Sequence, residues 1–272
     1  MNRLLVIKIG GNIIDNDSKL RAFLREFSHI KEKKILVHGG GKLATKMAER
    51  LGIEQQLVEG RRITDAETLK IVTMVYGGYI NKNIVSQLQQ HGCNALGITG
   101  ADGNAIMAHK RVNAAIDYGF AGDVDAVNTG FFHSLLQQEL DVVVAPITHD
   151  GNGQLLNTNA DTIAQEIATA MSGKYEVTLV YGFEKAGVLM DADNDETAIP
   201  VINATDFEKL KAEKVIFAGM IPKLENAFAA INRGVKAVII GSAERLGDLI
   251  TGACGTRLVE TEPANGKQQP AT

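Results

Sequence analysis

The strongest constraint in this chain is an alternation. Short apolar runs of strand length are followed by glycine and then by a stretch with helical spacing. Residues 4–9 form the first run, ending at Gly10-Gly11, and residues 35–38 the second, ending at Gly39-Gly40-Gly41. Residues 94–99, 141–145, 177–181, 235–240 and 256–260 continue the series. Between runs, apolar residues recur three and four apart, as at Leu20, Phe23, Leu24, Phe27 and Ile30, which is the period of an amphipathic helix. Helix starts are marked by Asp17 or Ser18, by capping boxes at Thr64-Asp65-Ala66-Glu67 and Thr205-Asp206-Phe207-Glu208, and by Pro222. Gly77-Gly78 is expected to break the helix that begins after Thr64, with a second piece running to His91-Gly92. Hairpins are expected around Glu59-Gly60 and within residues 118–127, and a helix over 161–171. Strands alternating with helices predict an α/β fold with a mainly parallel, doubly wound sheet. The chain crosses into a second lobe near residues 152–160. The expected organisation is a lobe over 1–155, a lobe over 156–260 and a disordered polar tail over 261–272.

Composition narrows the function. Hydrophobic residues are 45% and charged residues 22% of 272, too apolar for a disordered chain. The net charge of −4 leaves no basic field for nucleic acid or anionic membrane. Cys93 and Cys254 make neither a disulfide framework nor a metal spacing, and six histidines show no HExxH pattern. No metal site is expected. With no membrane span or leader in its opening residues, the chain is expected in the cytoplasm. Glycine is in surplus: 28 residues is about nine above the ordinary share of roughly 7%.

Much of that surplus sits where chemistry concentrates. Helix N-termini after parallel strands gather on one sheet edge and hold anions. Gly10 and Gly11 let backbone approach an oxyanion there, and Lys8 within an apolar strand needs an anionic partner. Gly39, Gly40 and Gly41 are three glycines where a turn needs one, so an anion nest explains them better. Gly39-x-Gly41-x-x-Ala44 also satisfies the dinucleotide fingerprint, with Glu59 about 20 residues on. It stands at the second strand-helix turn, however, and the fingerprint belongs at the first. A P-loop is excluded because Gly41-Lys42 is followed by Leu43. Asn157-Thr158-Asn159-Ala160-Asp161 reads either as a helix cap or as a polar platform. Arg61 and Arg62 read as solvated arginines or as a carboxylate clamp. Lys223, just after Pro222, places a cation in a first helical turn, which implies an anion nearby.

Together these segments resemble the amino acid kinase family, and within it the members that phosphorylate acylated glutamate in arginine biosynthesis. The motifs, in order, are Lys8-x-Gly10-Gly11, His38-Gly39-Gly40-Gly41, Gly60-x-Arg62-x-Thr64, Asn157-x-Asn159-x-Asp161 and Gly219-Met220-Ile221-Pro222-Lys223. The resemblance implies a three-layer αβα sandwich, an N-terminal lobe for the acyl-amino acid and a C-terminal lobe for ATP with Mg²⁺. The implied reaction moves the γ-phosphoryl of ATP to the side-chain carboxylate of N-acetyl-L-glutamate, with an N-succinyl or other carboxylate acceptor as the alternative. By the same resemblance Lys8 and Lys223 neutralise the phosphoryl group and Asp161 orients both. Gly40, Gly41, Arg62 and Asn157 hold the acceptor. Gly10, Gly11, Asn159, Glu184, Lys185, Ala186, Gly187, Val188, Leu189, Val215, Ile216, Phe217 and Gly219 serve the nucleotide. The nucleotide segments depart from the common pattern at Tyr181-Gly182-Phe183-Glu184 and at Phe217-Ala218. The chain starts directly at its first strand, where arginine-inhibited members carry an additional helix, so a homodimer insensitive to arginine is expected. Two other classes stay open at this point: a dinucleotide-binding oxidoreductase, and a non-catalytic amino-acid sensor.

Overall fold

Strand β1 (Arg3–Ile9) is the axis of the computed structural model, which describes residues 2–58, 61–112, 115–191, 193–213, 215–216 and 220–260. Six of its seven side chains are buried because neighbours cover both faces, as a central parallel strand requires. Side chains alternate across a strand. Leu4 and Val6 face one apolar layer, and Leu5, Ile7 and Ile9 face the other. Lys8 falls on the Leu4 and Val6 side.

The chain continues through α1 (Gly11–Ile14), α2 (Asp17–His29), β2 (Lys33–His38), α3 (Gly41–Arg50), β3 (Leu57–Val58) and β4 (Arg61–Arg62). Next come α4 (Ala66–Val72), a π-helical segment (Thr73–Ile80), α5 (Asn81–Gln90), β5 (Ala95–Ile98), β6 (Ile106–Lys110) and β7 (Ala121–Val127). Then follow α6 (Thr129–Gln137), β8 (Asp141–Val144), β9 (Ile147–His149), β10 (Leu155–Thr158), α7 (Ala160–Met171) and β11 (Glu176–Phe183). The remainder is β12 (Val201–Asn203), α8 (Ala204–Ala212), α9 (Ile221–Asn232), β13 (Ala237–Ser242), α10 (Leu246–Thr251) and β14 (Thr256–Val259).

Eight strands form one sheet in the order β12-β14-β13-β11-β1-β2-β8-β5. Every pairing in it is parallel except β13 with β14. One face is covered by α7 and α9 through Ile163, Ile167, Leu224 and Phe228. The other is covered by α2 and α5 through Leu20, Phe23, Leu24, Ile84 and Leu88. This is the expected three-layer sandwich. A small closed barrel of β10, β7, β6 and β9 stands beside it. From β1 the strand order runs one way through β2 and the other way through β11. Their carboxyl ends therefore frame a topological switch point, where ligands bind in such sheets.

Several local expectations change. Residues 118–127 are not a hairpin, because β7 pairs back on β6 and beside β10. Gly77-Gly78 does not break its helix: α4, the π-helical segment and α5 run on without interruption. Burial of Val75, Tyr76 and Ile80 supports that segment, and a wider π turn absorbs the irregularity. Three caps shift, to Asn16, Asp65 and Asn203, each accepting a backbone N–H through its side chain. Thr64 is instead fully buried. The lobe boundary expected at 155/156 falls inside β10, and both halves contribute to one sheet. The expected tail over 261–272 and the turn at Glu59-Gly60 lie outside the described residues.

His38 ends β2 with no exposure to solvent. Its Nδ1 donates to the Gly39 carbonyl at 2.8 Å, so Nε2 is the acceptor and takes the Asn81 amide at 3.2 Å. Asn81 also donates to the Val143 carbonyl at 3.1 Å. This chain ties the glycine loop to α5 and β8. Burial pushes the imidazole down to about 4 from 6.5, the Gly39 bond opposing and the Lys82 charge adding to the fall. The unfolded chain therefore gains a proton below pH 6.5 that the folded one refuses until about pH 4. Stability should be full above that window and fall through it as pH drops, by about 3 kcal/mol. Urea unfolding across the window should show this slope in the wild type and a shallower one in His38→Gln. Equal slopes would contradict a buried neutral histidine.

Candidate active site

The face on which Lys8 lies decides its partner. Helix α7 packs on that face, and Asp161 sits in its first turn. Lys8 Nζ reaches Asp161 Oδ1 at 2.7 Å, and the lysine side chain is only 9% exposed. Oδ1 makes no bond of hydrogen-bond geometry, so the contact is an ion pair. A buried ammonium without such a partner would be costly. Asn159 is the N-cap of α7, its side chain accepting from the N–H groups of Asp161 at 2.8 Å and Thr162 at 3.2 Å. The cap reading of this segment holds, and the cap fixes where Asp161 stands.

Lys223 comes from the first turn of α9, after Pro222. Its Nζ lies 4.3 Å from the ring centroid of Phe183, and Lys8 Nζ lies 5.5 Å from the same ring. Two cations thus share one aromatic side chain at the end of β11, an attraction to the ring quadrupole. Tyr181 stacks on Phe183 at 6.0 Å, and its hydroxyl donates to the Asp161 carbonyl at 3.4 Å.

Gly40 has φ of +150°, and a Cβ there would stand 2.3 Å from Ile80 Cδ1 and 3.1 Å from Tyr76 Cδ1. Only glycine fits. Gly41 starts α3, and the nearest atom to a Cβ there is Arg62 Nη2 at 3.8 Å. Its surroundings are open cavity. Arg62, at the end of the β3–β4 hairpin, is held over this helix start. It donates to the Gly41 carbonyl at 3.0 Å, to Thr45 Oγ1 at 2.9 Å and to Gln55 Oε1. The solvated reading of Arg62 does not hold: the side chain is buried at 9% exposure. Asn157 Nδ2 donates to Thr64 Oγ1 at 3.0 Å, which fastens β10 to the same hairpin.

Two cavities meet here. The first, about 240 Å³, is lined by Lys8, Gly40, Arg62, Arg111, Asn157 and Asp161 among others. The second, about 640 Å³, is lined by Lys42, Phe183, Glu184, Lys185, Gly187 and Lys223 among others. Gly10, Gly11 and Gly41 line both and form the shared wall. Three cations face one carboxylate in each wall, among the described residues. Both cavities are thus positive inside a chain of net charge −4. The arrangement suits two anions brought end to end, each at helix N-termini.

The structure brings together Lys8, Lys223, Asp161, Gly10, Gly11, Gly40, Gly41, Arg62, Asn157, Glu184, Lys185 and Gly187. Asn159 lines the first cavity rather than the second. Val188, Leu189 and Ile216 are buried side chains outside both walls. Ala186 and Val215 also stand outside the second wall. Phe217 and Gly219 lie outside the described residues. Sequence reasoning missed Asn12, Lys42, Tyr76, Arg111 and Phe183. Phe183 had a signal, two residues after Tyr181 on the same strand face. Lys42 donates to Asn12 Oδ1 at 2.6 Å, a pairing across 30 residues that no spacing rule reveals.

The comparisons agree with this geometry. The model of the Amino acid kinase family matches residues 3–242. An acetylglutamate kinase of Cytophaga hutchinsonii is 57% identical over 262 residues, covering 95% of this chain and 99% of that protein. One from Phocaeicola vulgatus is 54% identical over 246 residues, covering 90% and 96%. Among solved structures, N-acetylglutamate synthase of Neisseria gonorrhoeae complexed with coenzyme A and N-acetyl-glutamate superposes with a TM-score of 0.80. It is 19% identical, over 96% of this chain and 60% of that one. Carbamate kinase of Giardia lamblia bound to AMP-PNP gives 0.68 at 13% identity, over 96% and 99%. These two establish likeness of fold. With a family match across most of its length and relatives more than half identical, the chain belongs to the amino acid kinase family.

Proposed function

We propose that the protein transfers the γ-phosphoryl group of ATP to the γ-carboxylate of N-acetyl-L-glutamate, the step the named relatives perform in arginine biosynthesis. The observation that carries this reading is the junction: Lys8 and Lys223 share Phe183 where two cationic cavities meet at Gly10, Gly11 and Gly41. The first cavity takes the acceptor. Its α-carboxylate pairs with Arg62, Asn157 holds the acylated amino end, and the γ-carboxylate lies over Gly40 and Gly41. The second takes ATP, with its terminal phosphate at Gly10 and Gly11. Magnesium comes with ATP, held by phosphate oxygens and water. In this reading residues 1–155 serve the acceptor and 156–260 the nucleotide, and the protein works as a cytoplasmic homodimer.

The chemistry needs little from the protein beyond charge and alignment. A carboxylate is already ionised at pH 7 and needs no general base. One carboxylate oxygen forms a bond to the γ-phosphorus as the bond to the β-phosphate oxygen breaks. The products are an acyl phosphate and ADP, and no proton moves. Two anions must be held in line while charge spreads over the phosphoryl oxygens. Lys8 and Lys223 flank that position, and Asp161 holds the Lys8 ammonium in place. Family membership removes the dinucleotide reading, whose acidic partner Glu59 lies outside the described residues. Intact lysines argue against the sensor.

Incubation with ATP, Mg²⁺, N-acetyl-L-glutamate and hydroxylamine should yield a glutamyl hydroxamate in step with ADP. ADP without hydroxamate would contradict the acceptor assignment. Lys8→Ala and Lys223→Ala should each lower kcat ~10²–10³-fold with smaller changes in KM, since each supplies charge mainly at the transition state. Small, equal effects on kcat and KM would remove those roles. Gly41→Ala should melt within a few degrees of the wild type, the site for its methyl being open, yet lose most activity. Unchanged activity in that variant would mean the γ-carboxylate binds elsewhere.

A further inference from the structure

Two helices carry lysines into the nucleotide cavity from opposite faces of the sheet. Lys223 comes from α9, which packs on one face through Leu224 and Phe228. Lys42 comes from the first turn of α3, which packs on the other through Ala44 and Ala48. Lys42 lines this cavity and not the acceptor cavity. Its stem runs along the glycine wall: a Cβ at Gly11 would stand 3.8 Å from both Cγ and Cδ of Lys42. Beyond it, Nζ donates to Asn12 Oδ1 at 2.6 Å. The ammonium is thus held beside Gly11, where the kinase reading, on which this inference rests, seats the terminal phosphates.

The partner that holds it is neutral. Among the described residues Lys42 forms no ion pair. Glu184, the carboxylate of the same wall, follows β11 and so lies across β1 from the strand that leads into α3. Asp15 is one turn past Gly11. Burial holds its carboxyl above the usual range despite the charges of Lys42 and Lys46, and neither lysine closes an ion pair with it. The first turn of α3 has no acidic residue, and a cation there opposes the helix dipole. An ammonium has three N–H donors. Asn12 takes one, and two remain for an acceptor. A phosphate oxygen would add charge attraction that the carboxamide lacks, and the flexible four-carbon stem can aim the ammonium with no movement of backbone.

We propose that Lys42 binds the β-phosphate of the nucleotide, with Asn12 as the residue that positions it. Its place on the nucleotide side alone is what a leaving group needs. When the bond to the γ-phosphorus breaks, the electron pair stays on the β-phosphate oxygen, which gains negative charge. Lys8 and Lys223 serve the phosphoryl group in transfer, and Lys42 serves the ADP that departs. No proton moves, and Lys42 stays an ammonium throughout.

Calorimetric titration with AMP, ADP and ATP, each with Mg²⁺ and without acceptor, tests this on the wild type, Lys42→Met, Lys42→Arg and Lys46→Met. Lys42→Met should weaken ADP and ATP at least ~10-fold, the loss expected for a hydrogen bond between charged groups, and leave AMP unchanged. The AMP affinity reports in the same experiment that the site is folded. Lys42→Arg should recover most of the ADP affinity, because the charge remains. Lys46→Met removes a charge one turn further along α3, outside both cavities, and should match the wild type. In initial rates Lys42→Met should raise KM for ATP and leave KM for N-acetyl-L-glutamate as it was. A loss on ATP without one on ADP, or an equal loss on AMP, would overturn the β-phosphate contact. Equal losses in Lys46→Met would reduce it to a general field, and equal rises in both KM values would make Lys42 a support of the glycine loop. Unchanged affinities in Lys42→Met would overturn the contact and leave the kinase reading standing. A wild type that binds neither ADP nor ATP would overturn both.

Discussion

The ion pair between Lys8 and Asp161 is the contact on which the rest of the site depends. A lysine in the middle strand of a buried sheet has only one economical arrangement: its ammonium must reach an edge and meet an anion there. The even-numbered face of β1 turns Lys8 toward α7, and the Asn159 cap places Asp161 in the first turn of that helix. The same pair holds the amino-terminal strand and the helix that leads into the second half of the chain in one fixed relation. In the proposed reaction, a phosphoryl group entering from the second cavity would meet an ammonium already oriented.

Much of the site was legible in the sequence, because it is built from backbone. Gly10-Gly11 and Gly39-Gly40-Gly41 announce helix starts at strand ends and Pro222 a further helix start, and such features follow from local chain geometry. The αβα layering was legible for a similar reason, since short continuous apolar runs alternating with three- and four-residue apolar spacing are written into the sequence. The small barrel was not. Strands β9 and β10 are three and four residues long, and the pairings that close the barrel, Met107 with His149 and Asn157 with Ala121, join segments no local pattern links. Arg111 and Lys42 were missed on the same ground. Their partners Asp123 and Asn12 are set by tertiary placement, and on the page they look like any surface cation. The expected break at Gly77-Gly78 erred in the other direction, with burial overriding a weak local preference.

Charge explains how a mildly acidic chain handles two anions. The excess of carboxylates is spread over the surface, while each cavity wall carries more cations than carboxylates. In the proposed function, attraction of ATP and acceptor is therefore local, and their mutual repulsion is met at the shared wall. There Gly10, Gly11 and Gly41 supply N–H groups without side chains to hold the reactants apart. His38, kept neutral by burial, adds no charge and serves as a fixed strut for the loop.

The central claim is direct, in-line transfer across that wall, with no protein group taking the phosphoryl in between. The stereochemical course at phosphorus tests it most directly. ATP made chiral at its γ-phosphorus should give an acyl phosphate of inverted configuration, the mark of one displacement. Retention would require two displacements through a phosphorylated protein residue, and would contradict the account.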